Sequence, residues 1–173
     1  MWEHEEKFSK AHPLNSKIRD NDIFLHATSM KKYLAIQSTR CLLKNAPQRN
    51  FSISQAGVCF EKYEDGKHGG ACAKRVIDLT MNGYCYDNCR SDQSTEAVVL
   101  QIIGKDLKKL GCPVYVDWNK HFPYLFDDEH RPVDVDYDSL LLSIVVDCDV
   151  PLEYLSVAKK ITLKELQEMN RLL

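Results

Sequence analysis

The feature that most constrains this chain is a continuous apolar run, Ala97-Val98-Val99-Leu100-Gln101-Ile102-Ile103. Its β-branched residues favour a strand, and the lack of polar alternation indicates a central strand that is buried on both faces. A second apolar run, Leu140 to Cys148, predicts the last long strand. A helix-like run from Met30 to Leu43 indicates that helices accompany these strands. We therefore expect an α+β fold.

Composition limits the class of protein. The chain has 173 residues, of which 44% are hydrophobic, so it can bury one sizeable core. Its net charge of −2 gives no global electrostatic reason to bind nucleic acid or an anionic membrane. It contains no apolar run long enough to span a bilayer, and its N-terminus, Met1 to Lys7, is too polar for a secretory signal. We predict a cytoplasmic protein without a membrane partner, with a polar N-terminal extension at residues 1–21 and a single domain at 22–173.

The cysteines are scattered and odd in number, at seven, which predicts that most of them are reduced. Four have apolar or strand-like neighbours and are expected to be small core residues: Cys41, Cys59, Cys112 and Cys148. The pairs His68-x3-Cys72 and Cys85-x3-Cys89 could in principle supply four zinc ligands. The usual Cys-x-x-Cys knuckle is missing, so we predict no metal.

Several shorter elements follow from local signals. Lys105 to Leu110 is expected to be a helical turn closed by Gly111, and Pro113 to Asp117 an extended segment. Thr162-x-x-Glu165 is a capping box that would open a terminal helix from Leu163 to Leu172.

A histidine and a threonine follow the first strand-like segment. Ile23 to Leu25 is apolar, and His26 and Thr28 stand two positions apart, so both side chains project from the same face of an extended backbone. Ser29 is a plausible N-cap for the helix that follows. A single histidine at a strand end is more often structural than functional, so this pair gains meaning only together with other segments.

Three segments, taken in chain order, resemble the ADP-ribosyltransferase-like superfamily. His26-Ala27-Thr28 is similar to the His-Gly-Thr or His-Gly-Ser of its first strand. Gly57-Val58-Cys59-Phe60 is similar to the Gly-Ile-Tyr-Phe-Ala strand of its poly(ADP-ribose) polymerase branch, and Val150 to Leu155 to its Val-Pro-x-x-Tyr-Ile/Leu exit. The resemblance covers most of residues 22–157. It implies a split, mixed β-sheet core with flanking helices and with NAD in the cleft between two half-sheets.

The resemblance also implies which residues bind NAD. His26 and its neighbours Ala27 and Thr28 would hold the ribose and the nicotinamide amide, and Gly57, Val58 and Cys59 would line the site. Cys59 stands where the family has a tyrosine, and the expected second aromatic falls at Gly70, so Tyr63 is a candidate substitute. Arg49, which precedes the second strand, is a candidate to bind the pyrophosphate.

A catalytic carboxylate is harder to place. In the polymerase-like branch a glutamate begins the last strand, where it would stabilise the positive charge that develops on the ribose. The matching positions here are Leu141, Leu142 or Ser143. Asp138, Asp136 or Asp147 could serve if the register differs, and Asp138, just before the strand, is the best placed of them. We therefore predict His26 and Asp138 as catalytic residues.

The resemblance therefore implies an NAD-binding protein that transfers a single ADP-ribose from NAD, as its substrate, to a macromolecular acceptor. The acceptor, protein or nucleic acid, stays open. One alternative is a catalytically silent binding module of the same fold. Another is a tRNA 2′-phosphotransferase-like enzyme, which would need arginines such as Arg40, Arg49 and Arg75 to bind phosphate.

Overall fold

The protein is an antiparallel sheet with two short α-helices, seen in a computed structural model that describes residues 10, 13–44, 57–63, 94–117, 140–162, 164, 165 and 168. In chain order the elements are β1 (Ile23–Ser29), α1 (Met30–Thr39), β2 (Cys41–Leu42), β3 (Val58–Lys62), β4 (Glu96–Ile103), α2 (Gly104–Lys109), β5 (Val114–Val116), β6 (Ser143–Val146), β7 (Val150–Pro151) and β8 (Ser156–Thr162). Six strands form one sheet in the order β5-β6-β3-β1-β4-β8, and β2 pairs with β7.

The α+β class is confirmed, but the prediction of a mixed sheet is wrong for the part of the chain that is described. A mixed sheet needs at least one parallel pair, and all five pairings of the six-stranded sheet are antiparallel. Local sequence patterns predict strands but not their directions, because direction depends on which strands become neighbours. The sheet has two halves, β1-β4-β8 and β3-β6-β5, which meet only at β1 and β3.

β4 is buried on both faces, as its apolar run predicts. Val98, Leu100 and Ile102 belong to the main core cluster on one face. Ala97 and Val99 on the opposite face are also buried. β4 pairs with β1 on one side and with β8 on the other, so it is an inner strand of the sheet.

The predicted N-cap of α1 is confirmed, but the helix is shorter than predicted. The Ser29 hydroxyl oxygen accepts a hydrogen bond from the Lys32 N–H at 3.2 Å. Arg40 then adopts a left-handed conformation with φ of 59° and donates its N–H to the Ile36 carbonyl, which ends the helix. Cys41 and Leu42 leave the helix because they pair with β7.

Part of the predicted N-terminal extension packs against the sheet. Leu14 and Ile18 are buried in the core cluster on either side of a 3₁₀ turn, Asn15–Lys17. The Asn15 side chain donates to the Cys112 carbonyl at 2.8 Å and accepts from the Val114 N–H at 2.9 Å. These bonds attach the segment to β5.

The prediction of reduced cysteines is wrong for Cys112 and Cys148, which form a disulfide. Val114 pairs with Val146 across β5 and β6. Cys112 and Cys148 lie two positions beyond this pair, so they are also opposite each other. Their Cα atoms lie 6.0 Å apart, within the range that a disulfide spans. Cys59, also predicted to be a core residue, is exposed, because β3 turns it away from the core cluster.

The capping box is confirmed. The Thr162 N–H and hydroxyl both donate to the Glu165 carboxylate, at 2.7 and 2.9 Å, and the Glu165 N–H donates to the Thr162 hydroxyl oxygen at 3.2 Å. Most of the terminal helix predicted after it lies outside the described residues. Of the helices that the structure does describe, none has both the length and the apolar character needed to cross a bilayer.

Candidate functional site

The two halves of the sheet are joined at one end only. β1 pairs with β4 over its full length, from Ile23 to Ser29. Its ladder with β3 contains two residue pairs, Phe24–Lys62 and Leu25–Glu61, at which point it stops. We call the space between residues 26–29 of β1 and residues 57–60 of β3 the β1–β3 gap. The gap is closed at the Leu25–Glu61 pair, and beyond this pair β1 and β3 form no further ladder pair.

The main chain of Ala27 points into this gap. The Tyr63 N–H donates to the Ile23 carbonyl at 2.7 Å, so the polar main-chain groups of Ile23 face β3. Every second residue of a strand turns its main-chain N–H and C=O to the same side. The N–H and C=O groups of Leu25 and Ala27 therefore also face β3. Leu25 uses them in the ladder with Glu61, whereas Ala27 has no ladder partner on β3. Within the described strands, Ala27 therefore offers one N–H and one C=O to a ligand.

His26 spans the gap beside Ala27. Its Nδ1 atom lies 2.8 Å from the Cys59 carbonyl oxygen. Its ring also contacts the Phe60 ring, with centroids 5.7 Å apart. Because a carbonyl can only accept, Nδ1 is the protonated nitrogen. The imidazole thus holds Cys59 at a fixed distance from β1.

The environment of His26 keeps its ring neutral. Desolvation lowers the pKa of His26 and the nearby Lys32 charge lowers it further, while the hydrogen bond to Cys59 opposes both. In a neutral imidazole with a proton on Nδ1, Nε2 is a hydrogen-bond acceptor. The ring can therefore accept a hydrogen bond from a hydroxyl group.

Thr28 and Gly57 lie at the end of the gap where β1 and β3 form no ladder pair. Thr28 is on the same face of β1 as His26, it is 4% exposed, and its hydroxyl has no hydrogen-bond partner among the residues that the structure describes. Gly57 has a φ of 144°, and a Cβ there would clash with the Val145 side chain and lie 2.8 Å from the Val146 carbonyl oxygen. Only glycine lets β3 pass this close to β6.

The side chains of two other residues predicted to bind the cofactor do not face the gap. Val58 is 2% exposed, and its side chain packs in the core cluster. Tyr63 is 40% exposed and follows the last residue of β3, beyond the closed end of the gap.

No carboxylate stands at the three positions that the resemblance assigns to the catalytic acid. Leu141 is 1% exposed and belongs to the core cluster, and Leu142 is half-buried. Ser143 is buried and donates its hydroxyl to the buried Asp117 carboxylate at 3.1 Å. Asp147, one of the substitutes, lies at the opposite end of β6.

Several predicted residues lie outside the described part of the chain: Asp136, Asp138, Arg49, Arg75, His68, Cys72, Cys85 and Cys89. Asp138, Arg49 and the zinc alternative therefore stay predictions. Within the described residues, no three or more His, Cys, Asp or Glu side chains are grouped so that they could hold a metal ion.

Glu61 is not among the site residues predicted from the sequence. It pairs with Leu25 on β1 and with Ser143 on β6, so it stands at the closed end of the gap, and it is half-buried. One signal was available, since Glu61 follows Cys59 by two positions and so shares its side of the strand. Glu61 has an acidic side chain at the place where the two halves of the sheet meet.

Comparison with known proteins does not assign the chain to a family. No protein-family model, no curated protein and no solved structure matches it. Its function therefore has to be inferred from the geometry of the β1–β3 gap and from the three short segments of sequence resemblance.

Proposed function

We propose that the chain binds NAD in the β1–β3 gap and transfers a single ADP-ribose from it to a macromolecular acceptor, on an ADP-ribosyltransferase-like fold. The observation that carries this proposal is the main chain of Ala27, which faces the gap without a ladder partner on β3. The nicotinamide carboxamide has N–H donors and one carbonyl acceptor, so it pairs with the C=O and N–H of a single residue.

His26 and Thr28 supply the contacts to the ribose. The free acceptor of the neutral His26 ring, Nε2, takes a hydrogen bond from a ribose hydroxyl. Thr28 projects from the same face of β1, and its hydroxyl both donates and accepts. These are the roles that the resemblance implies for the His-x-Thr strand.

The order of strands in space supports the same proposal. The His-x-Thr segment lies on β1, the Gly-Val-x-Phe segment on β3, and the strand before the Val-Pro exit is β6. These three strands are consecutive neighbours in the sheet. Two of the three segments that carry the sequence resemblance thus border one gap, although they are far apart in the chain, whereas the Val-Pro exit lies on β7, which pairs with β2.

The reaction is a substitution at C1′ of the nicotinamide ribose. The C1′–N bond breaks and its electron pair leaves with neutral nicotinamide. A nucleophilic atom of the acceptor donates an electron pair to C1′, forms the new bond and releases its proton to solvent. We propose a single transfer because Leu141, Leu142 and Ser143 stand where the polymerase-like branch has its glutamate.

Nicotinamide release tests the proposal. The purified chain is incubated with NAD, nicotinamide is measured by chromatography, and the intact mass of the chain is measured for one added ADP-ribose. We expect release by the wild type and loss in His26→Ala, while the matched control Gln101→Ala, on β4 of the same sheet, keeps it. A wild-type protein that binds NAD without releasing nicotinamide contradicts the transferase, and one that does not bind NAD contradicts the site.

A catalytically silent NAD-binding module is the second candidate. It is favoured by Leu141, which is packed in the core at a position matched to the catalytic acid. Such a module would show a rise in Tm with NAD but no nicotinamide release, so the same incubation separates the two. The phosphotransferase alternative gains no support from Arg40, which is exposed and ends α1.

A further inference from the structure

We propose that the outer edge of β8 is a docking site for an extended, acidic segment of a partner protein, which adds to the sheet as a further strand. In the described sheet, β8 is the last strand and pairs with β4 on one side only. A free sheet edge presents main-chain N–H and C=O groups to which another chain can bond. The inference does not depend on NAD binding, because β4 and β1 separate β8 from the β1–β3 gap.

The main chain of Lys160 points away from the sheet. The Thr162 N–H donates to the Glu165 carboxylate at 2.7 Å, so the main-chain groups of Thr162 face away from β4. Every second residue of a strand turns these groups to the same side, so those of Lys160 also face outward. In the part of the chain that the structure describes, they have no hydrogen-bond partner. Lys160 therefore offers one N–H and one C=O to an added strand.

The opposite edge of the sheet is already covered. β5 is the strand at that edge. The Leu14 N–H donates to the Val114 carbonyl at 2.7 Å, and the Val114 N–H donates to the Asn15 side chain at 2.9 Å. Along β8, by contrast, residues 156–160 are all exposed. Of the two edges, β8 is therefore the one at which a partner strand can bind.

Two lysines define the chemistry of that partner. Lys159 and Lys160 are exposed neighbours on β8, and consecutive residues of a strand project from opposite faces of the sheet. An added strand alternates in the same way, so two consecutive Asp or Glu residues each meet one lysine. Val157 is 41% exposed on the same strand and suits an apolar neighbour. The partner segment thus has two adjacent carboxylates and a nearby apolar residue.

A second copy of β8 matches this edge less well. Self-pairing would gather Lys159 and Lys160 of both copies in one short ladder, and like charges that face each other destabilise a strand pair. The register of β8 with β4 also shifts between Val99 and Leu100, and such a bulge shortens the regular edge. These features oppose pairing with a basic strand, whereas an acidic segment neutralises the lysines.

Fluorescence anisotropy with two labelled peptides tests the recognition of charge. One has the sequence Thr-Val-Thr-Glu-Glu-Thr-Val-Thr, and the other has glutamine in place of both glutamates. We expect the wild-type chain to bind the first at least about fivefold more tightly than the second. The double variant Lys159→Glu, Lys160→Glu should lose this preference. Lys105→Gln, at an exposed lysine of α2, is the matched control and should bind both peptides like wild type.

Two further comparisons test the bonds to the main chain. Lys160→Gln removes the charge and keeps the N–H, whereas Lys160→Pro removes both, and proline breaks no bond to β4 because this N–H faces outward. We expect Lys160→Pro to bind the acidic peptide about fivefold more weakly than Lys160→Gln. Circular dichroism checks that both variants are folded.

A change in the peptide keeps the test decisive if Lys160→Pro does not fold. Two versions of the acidic peptide are N-methylated, each at one of the two sets of alternate residues. An added strand turns only one set of its N–H groups toward β8, so only one version should lose binding, by about tenfold.

Several results would overturn the proposal. If wild type binds neither peptide, or binds both equally, the lysines only protect the edge. Equal binding by folded Lys160→Pro and Lys160→Gln, or equal binding of the two N-methylated peptides, would mean that no strand is added. Analytical ultracentrifugation that shows a wild-type dimer and a monomeric Lys160→Pro would assign the edge to a second copy of the chain instead.

Discussion

The imidazole Nδ1 of His26 lies 2.8 Å from the Cys59 carbonyl oxygen, and this bond spans β1 and β3 just where their ladder has stopped. In a continued ladder, the main-chain N–H of Ala27 would donate to that carbonyl. Instead, the imidazole Nδ1–H of His26 donates to the Cys59 carbonyl oxygen. The Cys59 carbonyl is therefore hydrogen-bonded, while the Ala27 N–H is directed into the gap.

His26 makes stability depend on pH. Its pKa is lowered in the folded protein, chiefly by desolvation, relative to an ordinary value of 6.5. As pH falls through about 6.5, the unfolded chain gains a proton at this position that the folded chain does not bind, so the free energy of unfolding decreases. His26→Asn should lose this part of the pH dependence.

Urea unfolding at pH 8 and pH 5.5 measures the effect. The other five histidines and all carboxylates are common to both proteins, so the difference between wild type and His26→Asn isolates the contribution of His26. Identical pH dependence in the two proteins would show that the folded environment does not lower the pKa of His26.

Reduction of the Cys112–Cys148 disulfide should lower stability. The bond links residues 36 positions apart, so it removes about 4 kcal/mol of chain entropy from the unfolded state, and its loss lowers the free energy of unfolding by up to this amount. Urea unfolding with and without a reducing agent measures the change. Cys41→Ala should respond to the reducing agent like wild type, whereas Cys112→Ala should not respond.

Gly57 should tolerate alanine worse than Gly111 does. Both have positive φ, at 144° and 66°, but a Cβ at Gly57 clashes with Val145 whereas a Cβ at Gly111 meets nothing within 4 Å. Gly111→Ala should therefore cost about 1 kcal/mol of backbone strain, and Gly57→Ala about 2 kcal/mol more. The comparison of Tm values checks this, and equal losses would mean that β3 has room to move away from β6.

The strands with strong local signals could be predicted from the sequence. β4 is an uninterrupted apolar run, and Ser29 stands directly before the first helical residue, so both are visible without the fold. β8 was not predicted, because five of its seven residues are exposed and it lacks apolar alternation. It is a strand because β4 offers its other edge for pairing.

The site depends on contacts between distant residues, which sequence patterns do not contain. His26 meets Cys59 only because β1 and β3 become neighbours, 33 positions apart in the chain. The gap exists because their ladder ends at Leu25 and Glu61, and nothing local in either strand marks that residue. For the same reason, the disulfide and the place of Glu61 became visible only once the strand register was known.

Isothermal titration with NAD of wild type, Ala27→Gly and Ala27→Pro tests the central claim most directly. Proline removes the N–H that faces the gap, and it disturbs no ladder bond to β4 because that N–H points to the other side of β1. Loss of one hydrogen bond to a bound carboxamide should weaken NAD binding by about tenfold or more in Ala27→Pro. Ala27→Gly keeps both main-chain groups and should bind within about twofold of wild type. If folded Ala27→Pro binds NAD as tightly as wild type, or if wild type does not bind NAD, the β1–β3 gap is not the nucleotide site.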